Sequence, residues 1–284
     1  MSADRRGAAE LEITSPANPR IKQLVALRRR RVREQSDVTV VEGLAEIELA
    51  LAAGIRPRAL YYAPALTAPE SLPLVGRTAQ LGAEVIQLTR PVFEKVSYRE
   101  GPDGWLAVVP AIGGGLNQLR PGPRPLVLVS AGLEKPGNLG AILRTADAAG
   151  VAAVIAADPV TDWGNPNVVR ASKGTVFSVP VASAPTAEVL EWLTARRLQV
   201  VAATPDASVL VTEADLTGAT AIAVGAEQTG LSPEWLERAD VRVRIPMFGK
   251  ADSLNVSTSA AIILYEAVRQ RLLAGDLSDG LSVG

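Results

Sequence analysis

The feature that most constrains this chain is a break near its middle. Between Pro110 and Pro125 lie Gly113-Gly114-Gly115 and then Pro121, Pro123 and Pro125, with Arg120 and Arg124 among them. Adjacent glycines and alternate prolines cannot sustain a regular helix or strand: glycine loses the most backbone entropy, and proline lacks the N–H that both ladders need. The 284 residues are therefore expected to divide into two units, at the usual ~100–200 residues per domain. The expected boundaries are 1–107 and 125–274, with a linker over 108–124 and a Gly/Ser/Asp-rich flexible tail over 275–284.

Upstream of the break, Asn18-Pro19 reads as a helix cap followed by proline at the first helical position, with Ile21, Leu24, Val25 and Leu27 at helical spacing. A strand over Val38–Glu42, a helix over Leu44–Ala53 ended by Gly54, and a strand over Ala59–Tyr62 follow. A helix near Leu72–Leu81 and strands at Glu84–Leu88 and Gly104–Val109 complete a small α/β unit. Downstream, apolar strands at Leu126–Ser130, Ala153–Ala157, Val200–Ala203, Ala221–Gly225 and Val241–Pro246 alternate with helices at Leu139–Ala149, Thr186–Arg196, Pro233–Arg238 and Leu254–Ala274. That alternation is the pattern of a parallel α/β sheet.

Composition narrows the chemistry. The chain has no Cys and no His, which removes disulfides, thiolate and imidazole metal sites, Cys nucleophiles and any Ser-His-Asp hydrolase. No clustered Asp/Glu motif asks for a metal ion. The longest apolar runs, such as Val151–Ala157, fall far short of the ~20 residues of a membrane span, and no apolar signal-peptide core follows Arg5 and Arg6. A cytoplasmic protein without metal or membrane attachment is expected. Lys+Arg (29) balances Asp+Glu (30), yet residues 1–36 carry nine basic and four acidic side chains, net +5. Arg28, Arg29, Arg30, Arg31 and Arg33 concentrate that charge, and only Glu34 is near enough in sequence to neutralise one of them. Read on a single helix, the run encircles it, which suits phosphate contact; the plainer alternative is a solvated helix end.

Three glycine-bearing loops fall at the carboxyl ends of expected strands, where open α/β sheets place ligands. They are Leu133-Glu134-Lys135-Pro136-Gly137-Asn138-Leu139-Gly140, then Gly225-Ala226-Glu227-Gln228-Thr229-Gly230-Leu231-Ser232, then Ile245-Pro246-Met247-Phe248-Gly249 with Ser253-Leu254-Asn255-Val256-Ser257. None is G-x-G-x-x-G, and Leu231-Ser232 stands where a P-loop needs Lys-Ser/Thr. In the helix after the first loop, Leu139, Ile142, Leu143 and Ala146 share an apolar face, while Arg144 projects elsewhere beside Gly140 and Asp147. Taken singly, Arg144 pairs with Asp147, Asn138 and Ser253 are helix caps, and Glu227 is a turn residue.

Taken jointly and in this order, the loops resemble the three motifs of the SpoU (TrmH-type) 2′-O-ribose RNA methyltransferases of the SPOUT class, over about residues 125–273. Ser15–Arg33 and Val40-Val41-Glu42-Gly43 are more loosely similar to the L30e-like RNA-binding domain that precedes the catalytic domain in many members. The resemblance implies an α/β fold with a trefoil-knotted parallel sheet, although general rules make knots rare. It implies S-adenosylmethionine bound by Thr204, Gly225, Ile245 and Leu254, and a site served by Arg144, Asn138, Glu227, Ser253 and Asn255. It further implies a homodimer in which Arg144 completes the partner's site, and large-subunit rRNA as the substrate; the charge pattern makes Arg20, Arg28, Arg29, Arg30, Arg31 and Arg33 the expected RNA contacts. A guanidinium does not readily give up a proton, so holding phosphate and stabilising alkoxide charge suits Arg144 better than a base role. Ala171-Ser172-Lys173-Gly174 resembles the antibiotic-resistance members, which act on 23S rRNA. A tRNA ribose methyltransferase and a non-catalytic ribosome-binding factor are the alternatives.

Overall fold

The computed structural model describes residues 11–275; the stretch holding Arg5 and Arg6, and positions 276–284 of the expected tail, lie outside the described residues. Backbone contacts group the chain into two units. One comprises residues up to Ile112 together with Gly164–Arg170, the other Gly113–Trp163 together with residues from Ala171 onward.

The first unit contains β1 (Leu11–Ile13), α1 (Pro19–Ala26), α2 (Arg30–Ser36), β2 (Val38–Glu42), α3 (Leu44–Ala52), β3 (Ala59–Tyr62), α4 (Pro73–Gln80), β4 (Glu84–Leu88), α5 (Arg90–Val96) and β5 (Trp105–Pro110). Its sheet runs β1-β4-β3-β5-β2, with β5 antiparallel to both neighbours and the other pairs parallel. Ile21 and Leu24 of α1 and Val92 and Phe93 of α5 are buried in one core with Ile86, Leu88 and Leu106 of the sheet. Asn18 caps α1 as expected, its side-chain oxygen accepting from the Arg20 backbone N–H at 2.9 Å.

The arginine run does not encircle one helix. Helix α1 stops at Ala26, and α2 begins only at Arg30, so Arg28 and Arg29 lie in the break between them. Arg33 is corrected from an RNA contact to a structural residue. It is buried, and its guanidinium donates to the carbonyls of Leu27 (2.9 Å) and Arg28 (3.0 Å), which the end of α1 leaves without helical partners.

The second unit contains β6 (Leu126–Ala131), α6 (Pro136–Ala148), β7 (Ala153–Ala157), β8 (Val181–Ala184), α8 (Thr186–Ala195), β9 (Gln199–Ala203), β10 (Val209–Leu210), β11 (Thr220–Val224), α9 (Pro233–Arg238), β12 (Val241–Arg244) and α10 (Val256–Leu273), while α7 (Pro166–Ala171) leads back into it from the first. Its seven-stranded sheet runs β10-β12-β9-β11-β6-β7-β8, every pair parallel. The central strands β6, β7 and β11 are buried along their whole length, as a sheet covered on both faces requires. Val189, Leu190 and Leu193 of α8 and Trp235 of α9 pack on one side with Val129 and Ile155. Helix α6 buries Leu139, Ile142, Leu143 and Ala146, the apolar face read from the sequence, and it packs against α10.

The expected linker is ordered where it enters the second unit. Gly114 pairs with Ala182 of β8, and its carbonyl accepts from the Ser183 N–H at 3.0 Å. Leu116–Gln118 forms one 3-10 turn, and Leu116 and Leu119 are buried in the core. Two leucines three residues apart cover the open edge of β8, and that apolar burial outweighs the poor intrinsic propensity of the glycine-rich stretch.

Candidate active site

Order in the sheet decides what meets what. Strands β12, β9, β11 and β6 are consecutive neighbours, so the segments after them emerge side by side at one edge: Ile245–Asn255, Thr204–Asp206, Gly225–Ser232 and Gly132–Lys135. Helix α6 starts at Pro136, three residues before its expected start, with proline at its first turn and Lys135 as the residue preceding it. Asn138 is therefore inside the first turn and free of the capping role. Its Nδ2 donates instead to Oε1 of Glu227 at 2.5 Å. Asn255, at the far end of the third segment, donates from Nδ2 to the same Oε1 (2.9 Å) and to Oδ1 of Asn138 (3.2 Å). Asn255, rather than Ser253, caps α10: its Oδ1 accepts from the backbone N–H of Ser257 at 2.9 Å and from the Ser257 hydroxyl at 2.6 Å.

Glu227 is thus a hub on which all three loops converge, over sequence separations of 89 and 28 residues. The ammonium of Lys135 adds a contact to its second oxygen, Oε2, at 2.6 Å. These donors, Lys135 first and Asn138 next, hold the Glu227 carboxyl below the ordinary glutamate range, because each favours the ionised form. The contact of Lys135 with Glu227 is one that sequence reasoning misses. An isolated loop lysine carries no local signal, and only its position three residues before Asn138 places it near the motif.

Beside the hub lies a cleft of about 750 Å³, within the ~300–1,000 Å³ typical of small-molecule sites. Thr204, Gly225, Ile245 and Leu254 all line it, as do Glu227 and Ser253. Asn138 and Asn255 reach it through Glu227. Gly225 is needed by the chain itself: a Cβ there would collide with the backbone of Gly230 and Leu231, which curls back over it. The Gly230 N–H closes that turn onto the Ala226 carbonyl at 2.8 Å.

Arg144 is not drawn into this cluster. It lies on α6 six residues beyond Asn138, two thirds of a revolution around the helix and about 9 Å along it. It is exposed and makes no ion pair among the described residues. The Arg144–Asp147 pair of the plainer reading does not form, since Asp147 accepts from the Ser178 hydroxyl at 2.8 Å. Gly140, on the same side of α6, packs against Ala171 and Ser172 so closely that a Cβ would overlap them.

Comparison with known proteins decides the family. The SpoU rRNA Methylase family matches residues 125–265, and an MRM3-like substrate binding domain matches residues 18–107. A 23S rRNA (uridine(2479)-2′-O)-methyltransferase of Streptomyces viridochromogenes is 35% identical over 282 residues, covering 95% of this chain and 96% of that protein. The chain belongs to the SpoU family. A solved RNA 2′-O ribose methyltransferase is 45% identical, covering 92% of this chain and 100% of its own, with a TM-score of 0.79. An AdoMet-bound rRNA methyltransferase from Sinorhizobium meliloti is 32% identical, covering 91% and 97%, with a TM-score of 0.84. The SpoU match spans the cleft and the Glu227 hub, and the substrate-binding match spans most of the first unit.

In that first unit the remaining arginines differ in availability. Arg20 pairs with Glu84 at 2.6 Å and Arg30 with Glu34 at 2.7 Å, both on the exposed surface. Arg28 donates to the carbonyls of Lys95 (3.1 Å) and Ser97 (2.8 Å), and its guanidinium lies 5.2 Å from the Tyr98 ring centre. Arg29 and Arg31 are exposed and make no ion pair among the described residues. Among those residues there is also no cluster of acidic side chains able to hold a metal ion, and no helix long and apolar enough to cross a membrane.

Proposed function

We propose that this SpoU-family enzyme methylates a ribose 2′-oxygen of 23S rRNA, in the cytoplasm and as a homodimer. The observation that carries this reading is the convergence of Asn138, Glu227 and Asn255 beside a cleft walled by the carboxyl ends of β9, β11 and β12. The cleft suits S-adenosylmethionine: Val224, Ile245 and Leu254 offer apolar walls for a flat base, and the carboxylates of Asp206 and Glu227 suit a cationic sulfonium. When bound, that group supplies a methyl carbon on a leaving group already poised to depart.

The protein's own work is then orientation and charge. Asn138 orients the ribose from the rim, Glu227 ties the first and third loops together, and Ser253 and Leu254 hold the third loop against the cleft. Arg144, unpaired and exposed, is available to hold the neighbouring phosphate and stabilise charge developing on the 2′-oxygen. Because it stands apart from its own subunit's hub, its natural target is the site of a partner subunit. The first unit supplies RNA affinity through Arg29 and Arg31, with Arg20 and Arg30 able to leave exposed ion pairs worth at most ~1 kcal/mol each. The resemblance to antibiotic-resistance members extends the proposal to protection of the ribosome.

The test is a map of 2′-O-methyl stops on 23S rRNA from cells with and without the protein, repeated with purified protein and S-adenosylmethionine in EDTA. One protein-dependent stop in 23S rRNA is expected. A stop confined to tRNA would turn the assignment to the tRNA alternative, and none at all would remove the enzymatic reading.

A further inference from the structure

The two oxygens of Glu227 do different work. Oε1 accepts both amides, from Asn138 and Asn255, while Oε2 accepts Lys135. A carboxylate held through one oxygen alone can rotate about its terminal bond, since that torsion is broad. Engaging the second oxygen fixes the plane. With Oε1 fixed, the amides have one consistent arrangement. Both N–H groups of Asn255 are spent, on Glu227 and on Asn138 Oδ1, whereas Asn138 donates one N–H to Glu227 and keeps the other uncommitted among the described residues.

We propose that Lys135 is a positioning residue for methyl transfer: by engaging Oε2 of Glu227 it locks the carboxylate, and through it aims the spare N–H of Asn138 at the RNA. The proposal rests on the reading of this site as a methyltransferase centre. Lys135 itself is 70% exposed on its side chain against 25% for Glu227, so the pair sits at the rim, where the lysine can be replaced without opening the core. The other charged groups on the surrounding segments are Glu134 in the first loop, Asp206 after β9, Arg244 at the end of β12, and Lys250 and Asp252 in the third loop. None forms an ion pair with Glu227 among the described residues, so Lys135 alone supplies its countercharge.

Full-length Lys135→Met and Lys135→Arg test this by two independent readouts. The first is NMR titration of the Glu227 carboxyl in the free protein, with the side-chain amide signals of Asn138 and Asn255. Lys135 favours the ionised form, so its loss raises the pH at which Glu227 takes up a proton. Lys135→Met should therefore titrate at higher pH with displaced amide signals, and Lys135→Arg should stay near wild type. Identical titrations and unmoved amides in Lys135→Met would overturn the proposal whatever the enzyme's activity. The second readout is turnover on rRNA: Lys135→Met should lower kcat by about tenfold with KM for RNA held within about twofold. Its acid limb should lie at higher pH than wild type, with recovery in Lys135→Arg. A raised KM at unchanged kcat would make Lys135 a plain phosphate contact and sink the positioning role. A wild-type protein that shows the titration shift in its variant yet methylates no RNA would leave the clamp standing and remove the methyltransferase reading, so the two failures are distinct.

Discussion

At the scale of single residues, Arg144 and Gly225 separate two kinds of requirement. The Arg144 side chain makes no hydrogen bond or ion pair within the chain among the described residues, so Arg144→Ala should change stability by less than about 1 kcal/mol in thermal unfolding. If it stabilises charge at the 2′-oxygen, the same change should lower the chemical rate by about 10²–10³, with cofactor affinity retained because Arg144 does not line the cleft. Arg144→Lys keeps the charge and loses the planar fork. Recovery with lysine would point to plain electrostatics, and equal loss in both variants to bidentate geometry. Gly225 should behave in the opposite way. A methyl group there meets backbone that cannot swing aside, so Gly225→Ala should displace the Gly230–Leu231 turn and weaken cofactor binding by more than about tenfold in calorimetry. Gly137 is the control: it lies in the first turn of α6 with open space where its Cβ would stand. Gly137→Ala should leave binding intact and add up to about 1 kcal/mol of stability. Equal behaviour of the two glycine variants would show that packing at Gly225 is not what shapes the cleft.

At the scale of elements, the break between α1 and α2 sorts the arginines by job. Arg33 ties the two helices through the carbonyls of Leu27 and Arg28, so Arg33→Ala should cost about 1–3 kcal/mol, read from denaturant midpoints, by leaving those acceptors unpaired. Arg29→Ala and Arg31→Ala should leave the midpoint unchanged and instead flatten the dependence of RNA affinity on salt, by about one counterion for each phosphate that the variant no longer neutralises. The same break shows where sequence reading reaches its limit. Val38–Glu42, Ala59–Tyr62, Glu84–Leu88 and Ala153–Ala157 coincide with β2, β3, β4 and β7, because short apolar runs bounded by turn residues declare themselves locally. The three-residue β1 is too short to do so, and the edge strand β8, Val181–Ala184, has only Val181 as a bulky apolar residue; both are fixed by their neighbours in the sheet. Helix α5, with proline and an aromatic in its seven residues, is held by burial of Val92, Phe93 and Val96. In the site, Asn138, Glu227 and Asn255 are legible only as a joint pattern of motifs. Residue-by-residue reading makes caps of Asn138 and Ser253, because nothing local reveals that strand order brings β11 beside β6 and turns Asn138 toward Glu227. The contact of Lys135 with Glu227 is hidden for the same reason.

At the scale of the whole molecule, the separation of Arg144 from the Glu227 hub becomes an argument about assembly. The chain carries both the cleft proposed for the cofactor and an exposed arginine that does not line it and makes no ion pair among the described residues. If the arginine serves a second copy, the active unit is a dimer with two composite sites, each built from one subunit's cleft and the other's Arg144. Sedimentation of the full-length protein should then give a dimer. Arg144→Ala and Gly225→Ala homodimers, assayed with cofactor held near the wild-type Kd, should each fall well below wild type for different reasons, the first through loss of the arginine and the second through weakened cofactor binding. Mixing them forms heterodimers in which one composite site joins an intact cleft from the Arg144→Ala chain to an intact arginine from the Gly225→Ala chain. The other site carries both lesions. Random exchange places half of all dimers in the mixed form, each with one working site of two, so activity should return to about a quarter of wild type, the expectation for an isologous two-fold assembly. If Arg144 acts within its own subunit, every site in the mixture lacks one element and activity stays at the level of the parents. Exchange is verified independently by differently tagged subunits, so a flat result with proven heterodimers assigns Arg144 to its own chain, and a monomer in sedimentation rules out the composite site altogether.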